Sequence, residues 1–241
     1  MNLIEVDGVD HTGEKTIGSY YCNEKMLTSL KGSYTEVGGI FSCAYNMLAT
    51  LEFGPKKVGE HYYCMSNTLT SLKGAAKEVG LYFDCSDNEL TDLKGGPKRV
   101  GGDFICKLND LETLEGAPEF VGGDFICTNN HKLKNLIGSP KYVGGEFNCL
   151  GIHLDSLEGS PDEVGGDFVC IGNKIKNLDG FKTKIKGNFF AMDNPNPHLE
   201  DEYKLRQENP DINDGQIKMM MYKETNDDIY ITQDIKDIFL F

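Results

Sequence analysis

The sequence predicts a mainly β repeat solenoid of about nine rungs, with one parallel strand in each rung and a small C-terminal α/β or helical cap. Three regularities predict it. The eight cysteines follow one another at intervals of 21 residues, with one interval of 22, and a further step of 21 reaches Ala191. Aromatic, leucine and valine positions recur with the same period, and glycine pairs recur before the aromatic positions. A fixed period in this range indicates supersecondary units that stack on one another.

Four apolar positions define the repeat when each cysteine is taken as the reference. An aromatic residue stands two positions before it, valine or isoleucine mostly six before it, and leucine or isoleucine five and eight after it. Because Phe-x-Cys has a period of two, both side chains are expected on one side of a short strand. Stacked rungs would then bury continuous columns of Val, Phe, Cys and Leu. One inserted residue between Asn130 and Leu133 accounts for the interval of 22.

Asparagine, glycine and proline recur at positions that suit turns. Asparagine three residues after the reference is expected to turn the chain and to bond backbone groups of its own and neighbouring rungs. Glycine pairs such as Gly101-Gly102 and Gly122-Gly123 predict a bend before the strand. The asparagines are Asn46, Asn67, Asn88, Asn109, Asn130, Asn173 and Asn194, and the recurring prolines of the return segment are Pro55, Pro97, Pro118, Pro140 and Pro161.

The repeat resembles the leucine-rich repeat. The clearest copy is residues 102–111, Gly-Asp-Phe-Ile-Cys-Lys-Leu-Asn-Asp-Leu, and the resemblance covers about residues 16–194. The short unit is most similar to the compact repeats of bacterial and bacteriophage proteins. It departs from the family in having Phe for the usual Leu, and Gly often stands where the motif has its first Leu. The resemblance implies a curved solenoid that binds proteins or other ligands on its concave strand face, and it implies no particular partner.

Three segments are expected along the chain. Residues 1–15 are an N-terminal cap, residues 16–194 the solenoid, and residues 195–241 a C-terminal cap or a partner-binding tail. In the last segment Leu199 to Glu208 predicts a short helix and Ile229-Tyr230-Ile231 a strand. The apolar residues of the final stretch would pack on rung nine in a cap, or form a dimer or partner contact in a tail. They are Ile235, Ile238, Phe239 and Phe241, and the run 219–222 would serve either role.

Charge and motif content exclude several classes of function. The net charge of −14 argues against nucleic acid or an anionic membrane as the partner, because both require basic surfaces. No nucleotide-binding, hydrolase or metalloprotease motif is present, so no catalytic residue, no cofactor and no enzyme activity is expected. The cysteines lack zinc-site spacing and are expected to be buried free thiols, which suits a reducing cytoplasm. The acidic residues 200–202 are expected to be a solvated helix face.

The concave face is predicted from the residues three before, one before and one after each reference cysteine. Acidic residues on consecutive rungs form a ridge beside an apolar strip, and aromatic residues form a patch toward the N-terminus. The alternative is that the acids follow the repeat template and keep the surface soluble. The predicted partner-binding residues are Tyr21, His61, Tyr63, Tyr82, Asp84, Asp103, Ile105, Asp124, Ile126, Glu146 and Asp167.

These features favour a non-enzymatic protein-interaction module whose partner has a basic surface. The resemblance to bacteriophage and bacterial repeat proteins extends this to a phage-encoded inhibitor of a host or defence protein. Reversing the charge of the four stacked acids, at 103, 124, 146 and 167, is expected to abolish binding and to leave the fold intact. The alternatives are a small-ligand or carbohydrate binder that uses Tyr21, His61, Tyr63 and Tyr82, and a passive structural protein.

Overall fold

A computed structural model describes residues 10–211 and 213–224, and the side chains of 10–211 and 213–221. This part of the chain forms a parallel β-solenoid of nine rungs followed by two short helices. Rungs are numbered here from rung 1, which contains Cys22, to rung 9, which contains Ala191 in place of cysteine. The predicted strand at 229–231, the apolar residues 235–241, the Tyr222 side chain and residues 1–9 of the predicted N-terminal cap lie outside the described residues. The assignment of residues 1–15 and 195–241 as caps stays a prediction.

Each rung contributes two two-residue strands, and the strands form two parallel nine-stranded sheets. Partners in neighbouring strands are 21 residues apart, or 22 across the insertion, as in Phe104↔Phe125 and Phe125↔Phe147. Sheet A contains β1 (Lys15–Thr16), β3 (Glu36–Val37), β5 (Lys57–Val58), β7 (Glu78–Val79), β9 (Arg99–Val100), β11 (Phe120–Val121), β13 (Tyr142–Val143), β15 (Glu163–Val164) and β17 (Lys184–Ile185). Sheet B contains β2 (Tyr20–Tyr21), β4 (Phe41–Ser42), β6 (Tyr62–Tyr63), β8 (Phe83–Asp84), β10 (Phe104–Ile105), β12 (Phe125–Ile126), β14 (Phe147–Asn148), β16 (Phe168–Val169) and β18 (Phe189–Phe190).

The parallel solenoid and its number of rungs confirm the predicted fold class, but each rung has two strands where the sequence predicted one. The additional strand ends at the valine position, and three residues containing the glycine bend separate it from the strand of sheet B. The first glycine of the pair is crowded against the rung before it. A Cβ on Gly122 would lie 2.1 Å from the carbonyl oxygen of Gly101. The bend therefore requires glycine because two backbones approach closely there.

The predicted apolar columns form one continuous core that runs from Tyr20 to Leu199. The rings of Phe83, Phe104, Phe125 and Phe147 stack with centroids 5.2–5.4 Å apart and planes within 6–8° of parallel. All eight cysteines are buried and free. Burial raises the pKa of every thiol, to about 12 for Cys127. The thiols act as small apolar groups that fill the space between rungs.

The asparagine column forms a hydrogen-bonded ladder between rungs. The Asn109 Nδ2 donates to the carbonyl oxygens of Cys85 in the preceding rung and Cys106 in its own, at 3.1 and 3.2 Å. Its Oδ1 accepts the Leu90 backbone N–H at 3.0 Å. A buried amide thus satisfies backbone groups that the two-residue strands leave unpaired, as the sequence predicted.

Two helices follow the last rung, α1 (Leu199–Glu208) and α2 (Asp214–Glu224). Leu199 and Leu205 of α1 are buried. The sequence predicted a solvated helix face for the acidic run at the start of α1, and this prediction was wrong. Two of its carboxylates accept backbone N–H groups of the solenoid. The Glu200 Oε1 accepts that of Ala191 at 2.8 Å, and the buried Glu202 accepts that of Leu178 at 3.3 Å. These side chains replace the acceptors that a continued solenoid would supply.

Candidate binding surface on sheet B

The outer face of sheet B carries an aromatic patch in rungs 1–4, made of Tyr21, His61, Tyr63 and Tyr82. The rings of His61 and Tyr63 stack with centroids 5.5 Å apart and planes at 10°, and His61 lies 4.7 Å from Tyr82. Burial raises the pKa of Tyr63, and nearby Asp84, Tyr82 and Tyr21 add to the shift. The structure therefore brings His61, Tyr63 and Tyr82 together on rungs 3 and 4, and Tyr21 lies on the same face two rungs before Tyr63.

The aromatic patch remains open to solvent although Tyr21 and Tyr63 flank a buried residue. Ser42 is the strand partner of both tyrosines and is buried, whereas Tyr21 is exposed and Tyr82 is 40% exposed. The His61 Nδ1 is buried and has no hydrogen-bond partner among the described residues. A group of rings with one unsatisfied nitrogen is chemically suited to stack on, and to bond, a bound group.

The stacked acids of rungs 5–8 have a structural role that the sequence did not show. The Asp103 Oδ1 accepts the backbone N–H of Asp124 at 2.9 Å, and the Asp124 Oδ1 accepts that of Glu146 at 2.7 Å. The Asp167 Oδ1 accepts the N–H and the side-chain Nδ2 of Asn188. Three of the four predicted acids therefore join successive rungs. Charge reversal at these three positions would also remove hydrogen bonds between rungs, so it would test stability as well as binding.

Glu146 differs from the three aspartates. Its Oε1 accepts the Asn148 side-chain amide at 2.7 Å within its own rung.

The remaining predicted site residues, Ile105, Ile126 and Asp84, also lie on sheet B. Ile105 and Ile126 are half-buried strand partners, and the Asp84 Oδ1 accepts the Ser86 backbone N–H at 2.9 Å. No described lysine or arginine lies within ion-pair distance of the four stacked acids.

The outer face of sheet A is different because many of its side chains interact with one another across rungs. Lys15 pairs with Glu36, and Glu163 pairs with Lys186, each at 2.7 Å. The Arg99 guanidinium lies 3.8 Å from the centroid of the Phe120 ring, which in turn stacks on Tyr142 at 5.1 Å. Among the described residues of the two outer faces, the lysine–carboxylate ion pairs therefore lie on sheet A.

A set of left-handed residues beside sheet B was missed at the level of sequence. The second residue after the reference has positive φ in all nine rungs, including Tyr45 at 57° and Leu108 at 56°. The other seven positions hold Glu24, Ser66, Asp87, Asn129, Gly151, Gly172 and Asp193. The sequence signal for this column was a large side chain, Tyr45 or Leu108, at a position that otherwise holds small polar or acidic residues and glycine.

Comparison of the chain with protein-family models, with curated proteins and with solved structures gives no match. Neither described helix has the length and apolar character needed to cross a lipid bilayer. Among the described residues no group of three or more histidine, cysteine or acidic side chains is arranged to hold a metal ion.

Proposed function

We propose that the protein is a non-enzymatic interaction module that binds a protein partner on the outer face of sheet B. The observation that carries the proposal is the aromatic patch, because solvent-facing tyrosines clustered on a rigid sheet are typical of binding hot spots. The acids at 84, 103, 124, 146 and 167 extend the surface, and they favour a partner with a basic surface. Inhibition of a host or defence protein by a phage-encoded chain is a narrower form of the same proposal.

The test is affinity purification from cells of the protein's source with the full chain as bait. A bait with Tyr63→Ala and Tyr82→Ala should lose the partner that the native bait retains. The matched control carries Phe120→Ala and Tyr142→Ala, which removes a stacked aromatic pair from the outer face of sheet A. Circular dichroism checks that both variants are folded. Equal retention by all three baits would contradict the proposal.

A small-ligand binder is the second candidate, and the unpartnered His61 Nδ1 beside the rings of Tyr63 and Tyr82 favours it. A sugar or a nucleobase could stack on the rings and bond the nitrogen. Native mass spectrometry of the protein purified from its source separates the two candidates. A retained mass of a few hundred daltons that disappears in the Tyr63→Ala, Tyr82→Ala variant would support the small ligand, and a retained polypeptide would support the module.

A further inference from the structure

Exposed apolar side chains lie on the turn that follows sheet B in the first rungs. Met26 is 76% exposed, Tyr45 54% and Met47 49%. The backbone N–H of Tyr45 donates to the carbonyl oxygen of Met65 in the next rung. Rungs 1–3 therefore carry three methionines and a tyrosine on one edge, named here the methionine–tyrosine edge (Met26, Tyr45, Met47 and Met65).

The backbone of Tyr45 is unfavourable for its side chain. Its φ of 57° lies in the left-handed region, where asparagine and glycine are tolerated best and a large side chain is strained. The ring of Tyr45 is mostly exposed, so core packing does not compensate for the strain. Strain of this kind at an exposed aromatic residue is a reason to infer a role at the surface.

The surface of rungs 1–4 is negatively charged, mainly through rung 4. The four stretches that run from the bend to the turn in rungs 1–4 are residues 18–26, 39–47, 60–68 and 81–89. They contain five acids and one lysine, Lys25, which gives a local charge of −4. The acids are Glu24, Glu60, Asp84, Asp87 and Glu89. Three of these acids border the apolar surface at its rung-4 end, and a surface of this kind is complementary to a partner with an apolar face and basic flanks.

Resting on the function proposed above, we propose that the partner contributes a basic amphipathic helix, which lies along the solenoid axis over the aromatic patch and the methionine–tyrosine edge. Rungs repeat every ~4.8 Å, close to the ~5.4 Å pitch of an α-helix, so apolar side chains one turn apart reach successive rungs. Rungs 1–4 span about 14 Å, the length of about ten helical residues. Methionine adapts its shape to such a face, and tyrosine supplies contact area.

The first experiment uses a designed 18-residue peptide of leucine and lysine, with leucines at i, i+3, i+4 and i+7. Its control has the same composition but distributes the leucines around the helix, so that only the apolar face is lost. Both are titrated into the full chain carrying methyl-13C methionine. The amphipathic peptide should shift the methyl signals of Met26, Met47 and Met65. Met192, which is 54% exposed in rung 9, is the internal control and should not shift.

The second experiment uses Tyr45→Asn, with Leu108→Asn as the matched control. Both residues have φ near +57° and exposed side chains, so each substitution should raise the melting temperature by about 2–4 °C through loss of strain. Only Tyr45→Asn should weaken binding of the amphipathic peptide, by about tenfold or more. A variant that gains stability while losing affinity cannot be explained by misfolding.

Three results would overturn the proposal. They are equal binding of the two peptides, equal shifts at Met192 and at the edge methionines, and unchanged affinity of Tyr45→Asn. The purification experiment is independent of these outcomes. Partner capture that depends on Tyr63 and Tyr82, together with failure of the peptide, would retain the interaction module and reject the helix.

Discussion

Replacing Asn130 by alanine should destabilise the protein more than the same change at Asn67, another member of the asparagine ladder. Asn130 is completely buried. Its Oδ1 accepts the Leu111 N–H at 3.2 Å, and its Nδ2 donates to the carbonyl oxygen of Cys127 at 2.9 Å. The next rung has Ile152 at the position of the asparagine column, so no second asparagine donates to the Cys127 carbonyl oxygen. The substitution therefore leaves two buried backbone groups without this partner.

The magnitude follows from those two groups. A buried polar group that loses its hydrogen bond costs about 1–3 kcal/mol, so Asn130→Ala should lower the free energy of unfolding by about 3–4 kcal/mol. Asn67→Ala is the matched control, because Asn67 is half-buried and makes the same set of bonds. Its removal leaves one backbone group, the Leu48 N–H, without its acceptor, because the Asn88 Nδ2 still donates to the Cys64 carbonyl oxygen. Its cost should be about 1 kcal/mol.

Guanidinium unfolding followed by circular dichroism and by tyrosine fluorescence measures both variants. Coincident transitions from the two probes establish that a single free energy describes the unfolding. The difference between the two variants should be about 2 kcal/mol or more. A loss for Asn130→Ala no larger than that for Asn67→Ala would refute the reasoning that orphaned backbone groups set the cost.

Three further predictions concern the core, the stacked acids and the glycine bend. Buried thiols such as Cys127, whose pKa is raised to about 12, stay protonated when the unfolded chain ionises near pH 9. The free energy of unfolding should therefore fall by about 1.4 kcal/mol per pH unit for each buried thiol above pH 9, and urea titrations at pH 8, 9 and 10 measure this slope. Asp124→Ala should cost about 1–2 kcal/mol through loss of a charged acceptor. Glu146→Ala should cost less than about 0.5 kcal/mol in the same denaturation assay, because the Glu146 side chain bonds only Asn148 of its own rung. Gly122→Ala should cost about 3 kcal/mol because its Cβ would meet a carbonyl oxygen at 2.1 Å, and Gly18→Ala, whose Cβ would meet only a side-chain oxygen at 3.8 Å, should be nearly neutral in thermal unfolding.

The period, the core columns and the insertion could be predicted because each depends on residue type repeated at one position. The strands of sheet A could not. Each has one inward residue, such as Val58, and one charged or aromatic outward residue, such as Lys57, and two residues are too few to show an alternating pattern. The left-handed column was also hidden, because stacking on neighbouring rungs imposes one backbone conformation on residues as different as Tyr45 and Asp193.

The candidate site was predicted in part for the same reason. Outward columns identify which residues share a face, so the aromatic patch followed from position alone. The role of the aspartates did not, because a carboxylate that bonds the next rung and one that faces solvent look alike in sequence. The glycine that precedes the accepted N–H makes room for the carboxylate. A Cβ on Gly123 would lie 2.0 Å from the Asp103 Oδ1, so the carboxylate fits only against glycine.

Because the columns of the repeat are otherwise uniform, energetically unfavourable residues in them are easy to identify. Tyr62 replaces phenylalanine in the core column, and its hydroxyl is fully buried with no partner among the described residues. Its ring is tilted by 61° and 43° to its neighbours, whereas the rings of rungs 4–7 are nearly parallel. Phe53 has a φ of 68° at a position where the equivalent residues of rungs 1 and 3–8 are glycine. With the strained Tyr45, these departures fall in rungs 2 and 3, beside the aromatic patch. Leu108 of rung 5 shares the φ of Tyr45, but the buried hydroxyl of Tyr62 and the non-glycine Phe53 are departures of rungs 2 and 3. Binding sites are where natural sequences often depart from local rules, so these departures support recognition in the first rungs independently of surface composition.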